Sequence, residues 1–285
     1  DLTTALTQVN ADNQLEITAA DDAAANTNAF NIEVTAGTHS IVGTKTTAAV
    51  NYTAKSGTIS LNGQGVTLGI GDPAGAKSGA AVTLKEFNVF NGTATIGDKN
   101  QKSSLTATKL YIGNKPAEPE TPGPTAAATG KVVVGKNGSI TLSDAASSFE
   151  IANGGELNFA DGVAATDKVS SKNGIKLNGG TISVATPTAN TAALIEGGIT
   201  STNGSIDVAK GNASTFTASL TASGDVSLAG ENSKLDVGTS GTFVVDGGKL
   251  SLTGTTVTNK GTIEIKNFKD DTAEKSVLDI SKAQY

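Results

Sequence analysis

The stretch GTISVATPTANTAALIEGGITSTNGSIDV, residues 180–208, opens and closes on the same phrase: glycine, any residue, an apolar residue, any residue, an apolar residue. From Gly180 to Val184, and again from Gly204 to Val208, apolar side chains take alternate positions, as they must when one face of an extended strand is buried and the other is wet. The phrase recurs as GSITL from Gly138, GELNF from Gly155, GDVSL from Gly224, GTFVV from Gly241, GKLSL from Gly248 and GTIEI from Gly261. One turn-and-strand unit returning along a chain is the mark of a stacked repeat. The Gly248 copy follows Gly241 too closely to open a new coil, so it reads as a second strand face of the same coil. The other seven starts, spread over the 123 positions from Gly138 to Gly261, predict coils of about 20 residues.

The fold class predicted is therefore all-β: a right-handed parallel β-helix, or β-solenoid, over residues 130–268. Asn-Gly pairs at Asn91, Asn137, Asn153, Asn173, Asn178 and Asn203 mark turns in which positive φ is tolerated. Between hairpin strands such pairs would favour an antiparallel meander. Hairpins return after a few residues with matched strand lengths, whereas here the phrase comes back at coil length, which favours the solenoid. In a stacked solenoid, inward Ile, Val, Leu and Phe of successive coils form a continuous apolar column. Phe149, Phe159, Phe216 and Phe243 are expected to plug that core.

The flanks speak the same language more loosely. Residues 1–115 contain LEIT from Leu15, FNIEVTAG from Phe30, GTISL from Gly57, GVTLGIGD from Gly65 and GTATI from Gly92, read as the start of the same solenoid, with a separate small β-domain as the alternative. Residues 116–129, PAEPETPGPTAAAT, hold four of the six prolines and cannot lie inside a sheet, because proline lacks the ladder donor. They form an exposed loop or linker. Residues 269–285 comprise a charged segment and a terminal strand. Val277, Leu278, Asp279 and Ile280 of that strand either cap the solenoid or serve as an inter-subunit strand, since an unpaired β-edge is a template for another chain.

Composition narrows the chemistry. With 34 glycines, 4% aromatic residues and 37% hydrophobic residues, the chain suits a thin, elongated core better than a large globular one. The absence of cysteine excludes disulfides, thiolate catalysis and iron–sulfur clusters. All 21 basic residues are lysine, so the bidentate arginine fork is lacking, and a net charge of −6 disfavours nucleic acid and anionic membrane. No apolar run is long enough for a membrane span. Asp1 is expected to be a mature terminus after signal-peptide removal, or the chain a fragment of a longer precursor.

His39, the single histidine, is expected on a surface or turn; no GxSxG elbow accompanies it. The adjacent pairs Asp21–Asp22 and Asp270–Asp271 do not read as an acid/base pair, because strand neighbours face opposite sides. Tyr52, Tyr111 and Tyr285 are the rings that could stack on a glycan. No catalytic residue and no cofactor are expected. Calcium is the candidate ion, given abundant Asp and Asn in turns, although VDGGKLSLTG from Val245 is only partly like a calcium-binding nonapeptide.

The phrases GTTVTNKGTIEIKNF and NGGELNFADG resemble the β-helical passenger regions of bacterial autotransporters and haemagglutinin-like exoproteins, and repetitive surface-layer and tail-fibre proteins. The resemblance covers residues 130–268 clearly and the earlier part loosely, and implies export to the bacterial surface, with a role in adhesion, matrix or filament formation; it carries over no functional residue. The function expected is that of a non-catalytic structural protomer of an extracellular assembly (surface layer, fibre or biofilm matrix) whose partner is a second copy of itself. The alternatives are an adhesin that binds a host or cell-surface glycan or protein, and a solenoid polysaccharide hydrolase or tailspike.

Overall fold

The computed structural model describes residues 15–19, 30–43, 50–72, 79–116, 129–211, 214–267 and 278–279. Alternation of apolar and small polar residues makes every regular element a strand. In chain order these are β1 (Leu15–Ala19), β2 (Phe30–Val34), β3 (Thr38–Gly43), β4 (Val50–Ile70), β5 (Ala80–Ile96), β6 (Ser103–Ile112), β7 (Gly130–Val134), β8 (Gly138–Leu142), β9 (Ser148–Ala152), β10 (Gly155–Phe159), β11 (Lys168–Ser171) and β12 (Ile175–Asn178). They continue as β13 (Thr181–Val184), β14 (Thr191–Glu196), β15 (Ile199–Thr202), β16 (Ser205–Val208), β17 (Ala218–Ser223), β18 (Val226–Ala229), β19 (Lys234–Val237), β20 (Gly241–Asp246), β21 (Leu250–Thr253), β22 (Thr256–Asn259), β23 (Thr262–Lys266) and β24 (Leu278–Asp279).

The strands stack in parallel as a β-solenoid of about eight turns, with no helix among the described residues and a coil length near 26 residues. Each coil has three faces. Face 1 carries residues 50–54 of β4, then β5, β6, β8, β11, β14, β17, β20 and β23. Face 2 carries β2, residues 57–61 of β4, then β5, β6, β9, β12, β15, β18, β21 and β24. Face 3 carries β1, β3, residues 67–70 of β4, then β5, β7, β10, β13, β16, β19 and β22. Strand β4 wraps all three faces of one coil, and the register shifts after Ala54, Leu61 and Asn62 are its corners.

The coil is longer than the expected 20 residues for a definite reason. GSITL, GTFVV and GTIEI lie on face 1, GDVSL and GKLSL on face 2, and GELNF, GTISV and GSIDV on face 3. Counting copies from different faces as one series mixes steps within a coil with steps between coils. Five coils, not six, separate Gly138 from Gly261, because β8, β11, β14, β17, β20 and β23 follow one another on face 1. The Gly241 and Gly248 copies do share a coil, as β20 on face 1 and β21 on face 2. The Asn-Gly pairs turn the chain between faces rather than between hairpin strands: Asn137 and Asn203 both sit at φ 58°. The antiparallel rival is overturned, since the one antiparallel bridge among the described residues, Ala152 to Gly179, lies outside the ladders.

The core follows from the stacking. On face 3, Val132, Leu157, Ile182, Ile206 and Leu235 are in register and all 0% exposed. Each such burial stabilises the fold by about 1.5–3 kcal/mol before conformational entropy is set against it. One apolar cluster runs from Ile32 to Leu252. Phe149, Phe159 and Phe243 are inside it, but Phe216 is 42% exposed. Phe216 lies in the connection between β16 and β17 rather than on an alternating strand, so no core face claims it.

Apart from the proline-rich segment, connections from face 3 to face 1 carry most of the variation in coil length, and successive ones are tied together. The Asp161 carboxylate accepts the N–H groups of Thr188 and Ala189, each at 3.0 Å, and the Thr188 hydroxyl. The Ser214 hydroxyl donates to the Pro187 carbonyl at 2.7 Å, and Thr217 N–H to Asn190 Oδ1 at 3.1 Å. The proline-rich segment leaves after Pro116 and returns at Thr129, between face 2 and face 3; its residues 117–128 lie outside the described set. On either side of it the ladders continue, β5 pairing with β7 and β6 with β8 and β9.

Candidate functional site

The corner between faces 2 and 3 is where backbone comes closest to backbone. A Cβ on Gly130 would stand 1.9 Å from the Val89 carbonyl oxygen, and one on Gly155 2.3 Å from that of Ile112. Glycine is therefore demanded there by packing, and a groove of about 760 Å³ runs along the solenoid axis at this corner. It runs from Gln64 and Gly65 past Asn91, Thr129 and Asn153 to Asp207. That course crosses the face 3 rungs of β4, β5, β7, β10, β13 and β16, about 24 Å at the usual rung spacing of about 4.8 Å.

The groove is of mixed polarity, and its only charged lining residues among the described residues are Lys131, Glu156 and Asp207. Its floor is the outward side of face 3: Thr67, Thr93, Lys131, Glu156, Thr181 and Ser183. Lys131 Nζ pairs with Glu156 Oε2 at 3.0 Å, and the Ser183 hydroxyl donates to Glu156 Oε1 at 2.5 Å. Asn158 Nδ2 in turn donates to Ser183 Oγ at 2.8 Å. At the far end Lys210 Nζ lies 3.4 Å from Asp207 Oδ2 and 3.8 Å from Asp236 Oδ2, bridging two carboxylates stacked on neighbouring rungs. Burial pushes the Asp207 carboxyl above its ordinary range; Lys210 opposes the rise and the Asp236 charge adds to it. Asp207 Oδ1 is buried without a hydrogen-bond partner among the described residues. Each carboxylate already faces a lysine, so the surface is built for hydrogen bonding.

Backbone groups at the corner are spent on the ladders. Gly92 N–H donates to the Thr129 carbonyl at 3.1 Å, Gly130 N–H to Gly154 at 3.1 Å and Gly179 N–H to Thr202 at 3.0 Å. What remains for a ligand is the row of hydroxyl and amide side chains.

The residues singled out from the sequence lie elsewhere. His39 is not on the surface: it points inward on β3 at 2% exposure, with Nε2 2.7 Å from the Ala36 carbonyl. Alternation explains this, since His39 and Ile41 occupy the same side of β3. Tyr52 and Tyr111 are buried rather than available for stacking; their hydroxyls donate to the carbonyls of Val42 at 2.9 Å and Asn114 at 2.8 Å. Burial pushes the Tyr52 phenol up to about 12. Tyr285, Asp21–Asp22 and Asp270–Asp271 lie outside the described residues. Among the described residues no group of three or more His, Asp or Glu side chains is placed to hold a metal ion.

Of the terminal strand, Leu278 and Asp279 stack on Leu250 and Ser251 of the same chain, while Val277 and Ile280 lie outside the described residues. On faces 1 and 3 the last described rungs are β23 and β22, each paired on one side only among the described residues. There Val257, Ile263 and Ile265 are only partly buried, whereas Leu235, Phe243 and Val245, one rung earlier, are 0% exposed. The groove was not marked by the sequence phrases. Glu156, Ser183 and Asp207 are brought together only by stacking of β10, β13 and β16. Compared with known proteins, the chain matches no family model, no curated protein and no solved structure.

Proposed function

We propose that the chain is a non-catalytic structural protomer of a bacterial extracellular assembly, a surface layer, fibre or biofilm matrix, joined by β-mediated self-association. The observation that carries this reading is the last described rung: β22 and β23 are each paired on one side only among the described residues, in line with a continuous apolar column whose last described residues, Val257, Ile263 and Ile265, are only partly buried. Such an edge is a template for further parallel pairing. A second copy is the occupant proposed, because its coils carry strands of the same three faces running in the same direction. Contact between opposite ends is heterologous and does not close on itself, so it propagates into a filament.

The test is sedimentation of the full chain over a concentration series, with and without calcium, together with negative-stain microscopy. Parent protein forms fibres or sheets as concentration rises. Ile263→Lys with Ile265→Lys places two charges in the end contact and leaves monomers of unchanged secondary structure. Parent protein that stays monomeric at high concentration in both conditions removes the reading.

A further inference from the structure

We propose that the groove at the corner of faces 2 and 3 binds an extended, uncharged oligosaccharide lying along the solenoid axis. This goes beyond the assembly role and stands whether or not the chains associate.

Three observations select that ligand class. First, the groove is a repeating site: Thr67, Thr93, Lys131, Glu156 and Thr181 sit at corresponding positions of successive face 3 rungs. The rung spacing of about 4.8 Å is of the order of the advance per sugar of an extended pyranose chain, so an extended polymer meets one side chain per rung, a threonine at three of the five. Second, the hydrogen bonds on offer come from side chains. The corner N–H groups of Gly92, Gly130 and Gly179 are already paired, so a peptide cannot add as a strand here, and among the described residues no aromatic or large exposed apolar side chain lines the groove to anchor a lipid. Hydroxyl-rich ligands use Thr, Ser, Asn and Gln as both donors and acceptors. Third, the charge excludes an anionic polymer. The one lysine of the lining, Lys131, is held by Glu156, and Asp207 adds a further carboxylate at one end. No aromatic ring lines the groove among the described residues, so affinity is expected to be weak and to grow with ligand length.

The test uses the full chain with cellopentaose, maltopentaose and chitopentaose as probes, pentagalacturonate as the anionic control, and saturation-transfer NMR with calorimetry as readouts. At least one neutral pentasaccharide is expected to bind saturably, with its disaccharide weaker by about tenfold or more, which is about 1.4 kcal/mol. Thr93→Arg and Thr181→Arg, each filling the floor from an outward position, are expected to weaken binding by about tenfold or more without shifting the unfolding midpoint. Thr93→Ser is expected to retain it, and Thr93→Ala gives a milder probe of the same contact should the arginine disturb the ladder. Absence of saturable binding by all three neutral probes overturns the proposal. So does binding indifferent to Thr93→Arg and Thr181→Arg, or binding of pentagalacturonate as tight as that of the neutral probes.

Discussion

Replacing Phe159 by alanine tests whether stacked apolar columns hold this fold together. Phe159 is 0% exposed and stacks between Val134 of the coil before and Val184 of the coil after. Removing the ring takes away about 120 Å² of buried apolar surface, worth about 3 kcal/mol at about 25 cal/mol per Å². The cavity left behind raises the expected cost to about 3–5 kcal/mol, because neighbouring rungs pinned by their ladders cannot collapse into it. Phe216→Ala is the internal control: the same chemical change at 42% exposure is expected to cost within about 0.5 kcal/mol. Urea unfolding followed by circular dichroism gives the magnitudes, and hydrogen exchange gives the location. Coils of a solenoid contact only their neighbours, so amide protection is expected to fall around β7, β10 and β13 while distant coils keep theirs. A Phe159→Ala cost no larger than that of Phe216→Ala, or protection lost uniformly along the chain, would refute the column as the source of stability.

Two further outcomes follow from the corners and the groove end. Gly130→Ala drives a Cβ to 1.9 Å from the Val89 carbonyl and is expected to destabilise by about 2 kcal/mol or more, whereas Gly65→Ala, at φ +76° with nothing within 4 Å, is expected to cost about 1 kcal/mol of backbone strain. Equal unfolding midpoints for these two variants would contradict the close-approach argument. Burial raises the Asp207 carboxyl above its ordinary 3.8, so its charge costs stability as pH rises through the folded value, and the cost vanishes below the unfolded value. Asp207→Asn is therefore expected to gain stability relative to the parent as pH is raised from about 4 to about 7, read as the difference in urea midpoints. A difference that shrinks over that range would mean that attraction to Lys210 outweighs burial.

The inter-coil staples explain how a chain with so few aromatic residues can carry connections of such different length. Asp161 gathers Thr188, Ala189 and Thr191 from the following coil. Although burial alone would raise the Asp161 carboxyl, these hydrogen bonds hold it below the ordinary carboxylate range. Asp98 acts in the same way on an earlier coil, accepting the N–H groups of Asp72 at 2.7 Å and Asn100 at 2.8 Å. Each staple fixes a connection against its neighbour, so loop length varies without disturbing the ladders.

Strand character was written plainly in the sequence, because a period of two is local: in GELNF, Leu157 and Phe159 declare their face within five residues. The same phrase also declared that the chain stacks, since a glycine-led turn and strand repeated so often has no other economical way to cover its apolar side. Coil length was not legible in the same way. Three faces use nearly the same phrase, and connections such as 209–217 differ in length from coil to coil, so spacing alone cannot tell a neighbour on the same face from one around the corner. His39 shows a subtler failure: its parity with Ile41 was present in THSIV, but the neighbouring glycine made the phrase read as a turn. Phe216 shows the converse, a large apolar residue with no strand to bury it. The sequence by itself determined what each short segment does, because backbone pleat and hydrophobic burial act over a few residues. Only the tertiary structure decided which segments meet, because register between coils joins residues about 25 apart, such as Glu156 and Thr181, and that register alone creates the groove.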